Sequence, residues 1–252
     1  MQTLSNLNLT NIPNIKVKDL VIADFHTARV LEKYGIDYCC RGNQNLKDVL
    51  LAKNILESTL INEINTVTQN SGNGINENYE NWDLNVLAQY IIDTHHQYVK
   101  NAVPRISGHI TKVVNKHSDK HPFLIQVNEA FISIANELLN HMLKEERILF
   151  PLIKYLGECK KFEERPKAGG YGSIKNPIRQ MEAEHVTAGD FMGKIRKLTD
   201  DYSLPTDACT TFKLTFEELQ EFEKDLFKHV HLENNILFPK AIELEEELYK
   251  NY

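Results

Sequence analysis

Residues 141–151 read His141-Met-Leu-Lys-Glu145-Glu-Arg-Ile-Leu-Phe-Pro151, and residues 229–239 repeat the pattern as His229-Val-His-Leu-Glu233-Asn-Asn-Ile-Leu-Phe-Pro239. In both copies a histidine stands four residues before a glutamate, and Ile-Leu-Phe-Pro follows at the same offset. Residues i and i+4 of an α-helix lie one above the other on the same face. Each copy therefore predicts a helix that presents one histidine and one carboxylate to a shared metal ion.

The repeat extends to a second histidine in each half of the chain. His96 precedes His141 by 45 residues, and His185 precedes His229 by 44. This matched spacing indicates an internal duplication of a metal half-site. His95 also stands on a plausible apolar face, but the near-equal intervals favour His96 as the ligand and leave His95 as its neighbour.

The candidate ligands share apolar surroundings, because each histidine falls on the core side of an amphipathic helix pattern. Buried imidazoles and carboxylates need partners, which a shared metal supplies. Four histidines and two glutamates suit two ions that share the carboxylates. A nitrogen and oxygen set without thiolate disfavours structural zinc and points to iron or manganese. The predicted metal ligands are His96, His141, Glu145, His185, His229 and Glu233.

Three further carboxylates are expected to support these ligands. Glu137 and Asp225 each stand one turn before a ligand histidine, and Glu184 directly precedes His185. We expect them to hydrogen-bond ligand nitrogens or bound water. The other histidines show no such coupling and are interpreted as surface or capping residues: His26, His109, His117, His121 and His231.

The sequence predicts an all-α fold, with a four-helix up-down bundle preceded by a small helical N-terminal domain. The predicted domains are residues 1–68, a flexible Asn- and Gly-rich linker at 69–81, and the bundle at 82–252. The four bundle helices are expected at about 83–117, 122–156, 177–199 and 207–249. Pro104 is expected to bend the first helix. A charged, Gly-rich loop is expected from Gly157 to Ser173.

Composition limits the function classes. The net charge is −6 and no basic stripe occurs, so nucleic acid is not an expected partner. No apolar run approaches the roughly 18 residues of a membrane span, so no membrane contact is expected. Four cysteines without an export signal favour reduced thiols and a cytoplasmic location.

Two of those cysteines are adjacent, in the turn-like stretch Gly35-Ile-Asp-Tyr-Cys-Cys-Arg-Gly42. Cys39 and Cys40 are candidates for thiolate formation, metal transfer or redox exchange, and the Arg41 cation is expected to lower their pKa. The alternative is that they are small buried apolar groups. Cys159 and Cys209 have no partners in the sequence and are interpreted as structural.

Together, the two His-x-x-x-Glu-x-x-Ile-Leu-Phe-Pro segments and the Met181-Glu-Ala-Glu-His185 block resemble the hemerythrin-like di-iron fold. With the Cys39-Cys40 motif, the chain resembles the iron–sulfur cluster repair family over nearly its whole length. The resemblance implies two non-haem iron ions with oxo and carboxylate bridges, the six ligands named above, and Glu145 and Glu233 as the bridges. It also assigns the family's cysteine pair to Cys39 and Cys40. The family often has two glycines after that pair, where this chain has Arg41-Gly42-Asn43.

The resemblance implies repair of iron–sulfur clusters damaged by nitrosative or oxidative stress, with labile iron supplied from the di-iron centre. The partners would be damaged iron–sulfur proteins, and a homodimer stays open. Two alternatives remain: a di-iron nitric oxide reductase or scavenger, and a hemerythrin-type sensor or carrier of dioxygen or nitric oxide. Whether the protein is an enzyme is left undecided by the residues.

Overall fold

The computed structural model describes residues 15–70, 79–167, 170 and 172–251. The described residues form helices and turns, and the only strand-like feature among them is an isolated antiparallel bridge between Lys16 and Asn45. The predicted all-α class is therefore confirmed. The chain divides into two compact units, one formed by residues up to Trp82 with Val230–Ile236, the other by Asp83–His229 with Leu237–Tyr252.

The first unit is built from short helices around a small apolar core that includes Leu20, Leu31, Tyr38 and Leu60. Its helices are α1 (Val17–Ala23), α2 (Ala28–Lys33), α3 (Leu46–Ala52) and α4 (Glu57–Asn70).

Four long helices correspond to the predicted bundle and make up most of the second unit, although Val230–Ile236 of the fourth helix belongs to the first unit. Three of them contain one π-helical turn each, so their halves carry separate labels. The first is α5 (Leu84–Ile91), a π turn (Ile92–His96) and α6 (Gln97–His117); the second is α7 (Phe123–Lys144), a π turn (Glu145–Leu149) and α8 (Phe150–Phe162); the third is α9 (Lys175–Leu198); the fourth is α10 (Thr210–Leu232), a π turn (Glu233–Leu237) and α11 (Phe238–Asn251).

Local sequence explains where the first long helix begins. The side chain of Asp83 accepts hydrogen bonds from the backbone N–H groups of Asn85 at 2.8 Å and Val86 at 3.4 Å. An aspartate in this position satisfies donors that have no partner inside the helix. The first long helix continues through Pro104. A π turn interrupts its α-helical hydrogen bonding at Ile92–His96.

The expected loop after the second helix begins later than the sequence indicated. The helix continues through Gly157 to Phe162 and ends at Glu163, which has the left-handed backbone angle φ = 56°. Leu156 and Cys159 are buried, and this burial extends the helix beyond the glycine. A Cβ atom at Gly157 would lie 3.2 Å from Nδ2 of Asn85, so glycine permits close packing against α5.

The predicted linker at 69–81 differs from the structure at both ends. Helix α4 extends to Asn70, and Tyr79–Asn81 forms a 3₁₀ turn in which Tyr79 is buried against Trp82. The central part of that prediction, residues 71–78, lies outside the described residues. None of the helices formed by the described residues has the length and apolar character needed to cross a membrane.

Candidate metal centre

The six predicted ligands come together in two overlapping groups. One group contains His96, Glu145, His229 and Glu233, and the other contains His141, Glu145, His185 and Glu233. In each group one donor atom from every residue lies within 4.8 Å of the others. Both glutamates belong to both groups, so their carboxylates join two pairs of imidazoles.

The donor atoms approach one another closely at the centre. Oε2 of Glu145 lies 3.3 Å from Nε2 of His96, and Oε1 of the same carboxylate lies 3.2 Å from Nε2 of His141. The Nε2 atoms of His141 and His185 are 3.0 Å apart. The carboxylate of Glu145 therefore spans the distance between one imidazole from each group.

The six side chains that meet here are buried. Glu145, Glu233, His96 and His229 have no exposed surface, and the other two ligands are at most 2% exposed. Nε2 of His96 is buried and makes no hydrogen bond with the described residues. Buried carboxylates and imidazole nitrogens in such a space are costly unless they bind a counter-charge. The donor set therefore fits metal ions, and its nitrogen and oxygen chemistry fits iron or manganese.

Each π turn coincides with a predicted ligand. His96 ends the first π turn, Glu145 begins the second, and Glu233 begins the third. A π turn adds one residue to a helical turn and often occurs at functional sites. The helix that contributes His185 has no such turn and supplies a single ligand.

Two carboxylates hold the outer nitrogens of ligand histidines. Glu184 Oε2 lies 2.9 Å from Nδ1 of His141, as expected for a supporting residue. Hydrogen bonding to His141 is the main cause that lowers the pKa of Glu184 to about 2, with further help from Gln180 and Lys144. Glu146 was not among the predicted supporting residues, but its Oε1 lies 2.8 Å from Nδ1 of His96.

Glu146 is in turn held by Lys100, whose Nζ donates to Oε1 at 2.7 Å. Burial acts to raise the pKa of Glu146, but hydrogen bonds from Lys100 and His96 lower it overall. The carboxylate of Glu146 stays ionised and fixes the imidazole of His96 with Nε2 facing the other predicted ligands. Carboxylates commonly orient metal-binding histidines in this way.

The other two predicted supporting residues occupy different places. Asp225 was expected to support His229, which lies one turn later, but its Oδ1 lies 2.8 Å from Nδ1 of His95. The His95 ring stacks on the His229 ring with centroids 5.5 Å apart, so Asp225 contacts the ligand's neighbour. Glu137 is exposed because it lies beside, and not within, the buried row that contains Leu138 and His141.

The cysteine pair forms a third group of potential ligands, within the first unit. Asp37, Cys39 and Cys40 each place a donor atom within 4.8 Å of the others, and the two sulfurs are 3.7 Å apart. Asp37 Oδ1 accepts the backbone N–H groups of Cys39 at 3.0 Å and Cys40 at 2.9 Å. The side-chain amides of Asn235 and Asn234 donate to the carbonyls of Tyr38 and Cys39, respectively.

The structure changes one expectation about this loop and gives a packing reason for the glycine that follows the cysteine pair. Burial is the main cause that raises the pKa of Cys39 well above its usual value, so Arg41, which is exposed, does not make this thiol acidic. The glycine that the chain retains after the pair is required by packing. A Cβ atom at Gly42 would lie 2.3 Å from the carbonyl oxygen of Tyr38.

Two histidines that were interpreted as surface or capping residues are buried. His231 is 1% exposed and lies against the rings of Phe25 and Tyr38. His117 is 8% exposed, and its Nε2 lies 3.2 Å from the sulfur of Cys209, which is only partly buried. The sequence contained no local sign of this pairing, because 92 residues separate the two positions.

Comparisons with known proteins agree with the resemblance. The hemerythrin HHE cation-binding domain family matches residues 87–241, and ScdA_N, a domain of unknown function, matches residues 13–68. The chain is 31% identical to the iron–sulfur cluster repair protein ScdA of Staphylococcus haemolyticus over 85% of this chain and 91% of that protein. It is 32% identical to the iron–sulfur cluster repair protein YtfE of an Enterobacter species, over 89% of this chain and 94% of that one.

A third relative, a probable iron–sulfur cluster repair protein of Haemophilus influenzae, is 30% identical over 90% of this chain and 96% of its own length. These three matches cover 85–90% of this chain and 91–96% of the relatives. The chain, which matches ScdA_N in its N-terminal part and the hemerythrin HHE cation-binding domain in the rest, belongs to the family of iron–sulfur cluster repair proteins.

Proposed function

We propose that this protein holds two iron ions and supplies iron to damaged iron–sulfur clusters in other proteins. The observation that carries the proposal is the sharing of Glu145 and Glu233 by two groups that are otherwise separate. The names of the relatives support iron–sulfur cluster repair and give no support to the alternatives of nitric oxide reduction or dioxygen carriage.

In the proposed centre, His96 and His229 bind one ion, and His141 and His185 bind the other. The carboxylates of Glu145 and Glu233 bridge them. This assignment is supported by the burial of all six side chains and by the approach of Glu145 to an imidazole from each group. The oxo bridge implied by the family resemblance belongs to the same proposal.

The surrounding carboxylates set the orientation of the ligands. Glu146 and Glu184 accept the Nδ1 proton of His96 and His141, and this tautomer leaves the Nε2 lone pairs to face inward. Lys100 and Lys144 contact these carboxylates from the outside and maintain their negative charge. The partly buried carboxylates of Glu146 and Glu184 thereby hold the imidazoles from their outer side and occupy none of the inward-facing donor positions.

Iron is the cargo in this proposal, so the ligands must also release it. Carboxylate oxygens can be protonated or replaced by water more easily than thiolates can leave a soft metal site. A centre with two glutamates and no cysteine among its ligands is suited to giving up an ion.

The thiols of Cys39 and Cys40 are proposed to take part in transfer or client docking. Their support is the compact group that they form with Asp37. Burial raises the pKa of Cys39, so this thiol is protonated near neutral pH and would lose its proton on binding a metal ion. Metal binding at this group therefore competes with protonation of the thiol.

A repair assay tests the proposal directly. An iron–sulfur enzyme inactivated by nitric oxide is incubated anaerobically with the iron-loaded full-length protein, a chelator that captures free ferrous iron, and a reductant. We expect recovery of the client's activity and cluster absorbance, and no recovery with iron-free protein. Mössbauer spectra of the loaded protein should report a coupled pair of iron ions. Formation of nitrous oxide without cluster recovery would instead establish the reductase alternative.

A further inference from the structure

A histidine and a cysteine are in contact at the other end of the bundle from the proposed iron centre. His117 is the last residue of α6, and Cys209 immediately precedes α10. Nε2 of His117 lies 3.2 Å from Sγ of Cys209. The imidazole is buried and faces the sulfur, whereas the cysteine is only partly buried and stays within reach of small solutes.

The helix that follows Cys209 favours its thiolate form. Backbone N–H groups of Phe212 and Thr211 lower the pKa of Cys209, against the opposing effect of burial, and Lys116 adds a favourable positive charge. The helix is 23 residues long, so its N-terminus carries a substantial partial positive charge. Helix N-termini and neighbouring histidines are the surroundings that activate cysteine nucleophiles.

The nearby polar groups are already engaged elsewhere. Nε2 of His121 pairs with Oδ1 of Asp207 at 2.8 Å, and Lys120 approaches the same carboxylate at 3.6 Å. Among the described residues, no group of three potential metal ligands includes Cys209. The His117–Cys209 pair is therefore arranged for thiol chemistry and lacks the convergent donors of a metal site.

This pair is also remote from the proposed iron centre. Helix α6 contains the 21 residues that follow His96 and ends at His117. At a rise of 1.5 Å per residue, roughly 30 Å of helix separates these two histidines. Chemistry at Cys209 can therefore be followed without changing an iron ligand.

We propose that Cys209 and His117 form a peroxide-reactive thiol site. In the reactive form the thiol proton resides on Nε2 of His117. The sulfur attacks one oxygen of hydrogen peroxide, so that an S–O bond forms and the O–O bond breaks. The thiolate loses two electrons to the peroxide, and the departing oxygen takes the proton from His117 and leaves as water. The product is a sulfenic acid on Cys209 and a neutral imidazole.

The first test measures the alkylation rate of Cys209 in the full-length protein as a function of pH. Anaerobic iodoacetamide labelling, with mass spectrometry of the peptide that contains Cys209, is compared in native and urea-unfolded protein. We expect the native rate to reach its plateau at a lower pH than the unfolded rate, because the folded surroundings of Cys209 lower the pKa of its thiol and so raise the thiolate fraction at a given pH. The same pH profile in both states would overturn the proposal.

The second test removes the histidine. His117→Gln should slow both alkylation at pH 7 and peroxide-dependent dimedone labelling of Cys209 by about tenfold. The matched control is His109→Gln, on the same helix, because His109 pairs with Glu218 and not with the thiol. Labelling is done with a chelator present, so that released iron does not generate radicals. Wild-type labelling rates in a folded His117→Gln protein would overturn the proposal; if that variant does not fold, the native and unfolded wild-type profiles decide.

Discussion

The Oε1 atom of Glu146 lies 2.8 Å from Nδ1 of His96 and 2.7 Å from Nζ of Lys100. Glu146 directly follows the proposed bridging residue Glu145. Two adjacent residues of the second bundle helix therefore provide one proposed ligand and the carboxylate that orients another, His96. The second copy of the repeat has Asn234 at this position. The two halves of the duplicated site are therefore chemically different.

This relationship leads to a prediction for iron retention. Replacing Glu146 by alanine removes the acceptor that fixes His96, and loss of such a partner typically weakens metal affinity about 10- to 100-fold. We expect Glu146→Ala to lose iron to a competing chelator at correspondingly lower chelator concentration. Glu137→Ala is the control, because that carboxylate is exposed and lies on the same helix. Equal iron retention in the two variants would contradict a supporting role for Glu146.

A second prediction concerns the shared carboxylates. Glu145→Leu and Glu233→Leu keep a buried side chain of similar size but remove a donor from both ligand groups. We expect each variant to bind far less iron than the wild type, by elemental analysis, while circular dichroism still reports a helical protein. Glu137→Leu should bind as much iron as the wild type. Retention of two irons per chain by both bridging variants would show that the ligand assignment is wrong.

The cysteine pair gives a third prediction, in which iron binding and repair separate. Cys39→Ser combined with Cys40→Ser changes sulfur atoms that belong to neither histidine–glutamate group. The optical and Mössbauer spectra of the bound iron should therefore be unchanged, whereas recovery of a damaged client cluster should fall severalfold. Cys209→Ser, which removes a thiol outside the first unit, should repair at the wild-type rate. Undiminished repair by the double variant would remove Cys39 and Cys40 from the mechanism.

The proximity of the six proposed ligands could be predicted from the sequence because these residues obey a local rule. His141 and Glu145 are one helical turn apart, and the second copy repeats the spacing, so the pattern itself marks the shared face. The same rule failed for Asp225, which is one turn before His229 but contacts His95 on another helix. Glu146 was missed because its neighbour in space, His96, is 50 residues away in the chain.

The helical class and the approximate limits of the bundle were also predictable, since long amphipathic runs leave few alternatives. The π turns were not predicted, because the helical spacing of apolar residues does not reveal one extra residue in a single turn. The same limit applies to Cys209 and His117. Neither has a motif in its own segment, and only the packing of α6 beside the start of α10 brings them into contact.

A buried ion pair supports a prediction about stability. Arg196 binds both carboxylate oxygens of Glu223, which is 2% exposed. Arg196→Met leaves that carboxylate buried without its partner. Breaking a fully buried pair in this way lowers the free energy of unfolding by about 3–5 kcal/mol. We expect a smaller loss here, because part of the Arg196 side chain is exposed. The free energy of unfolding in urea measures the loss. Lys160→Met breaks the exposed pair with Glu247 and should cost less than about 1 kcal/mol.

The last prediction concerns Gly42, in the loop that carries the cysteine pair. A Cβ atom there would lie 2.3 Å from the carbonyl oxygen of Tyr38 and 2.8 Å from Cβ of Lys18, so Gly42→Ala forces the backbone to move. Overpacking of this kind typically costs about 1–3 kcal/mol. We expect faster hydrogen exchange of the amides around Cys39 and lower thermal stability of the first unit.

Gly108→Ala provides the matched control for the same chemical change. A Cβ atom at Gly108 meets no heavy atom within 4 Å, and the residue lies inside α6. Alanine is a better helix former than glycine, so this variant should be more stable by about 0.5–1 kcal/mol. If Gly42→Ala leaves exchange near Cys39 unchanged, the close contact with Tyr38 does not restrict the loop. Opposite effects of the two substitutions would assign the loss to that contact, because the added methyl group is the same in both.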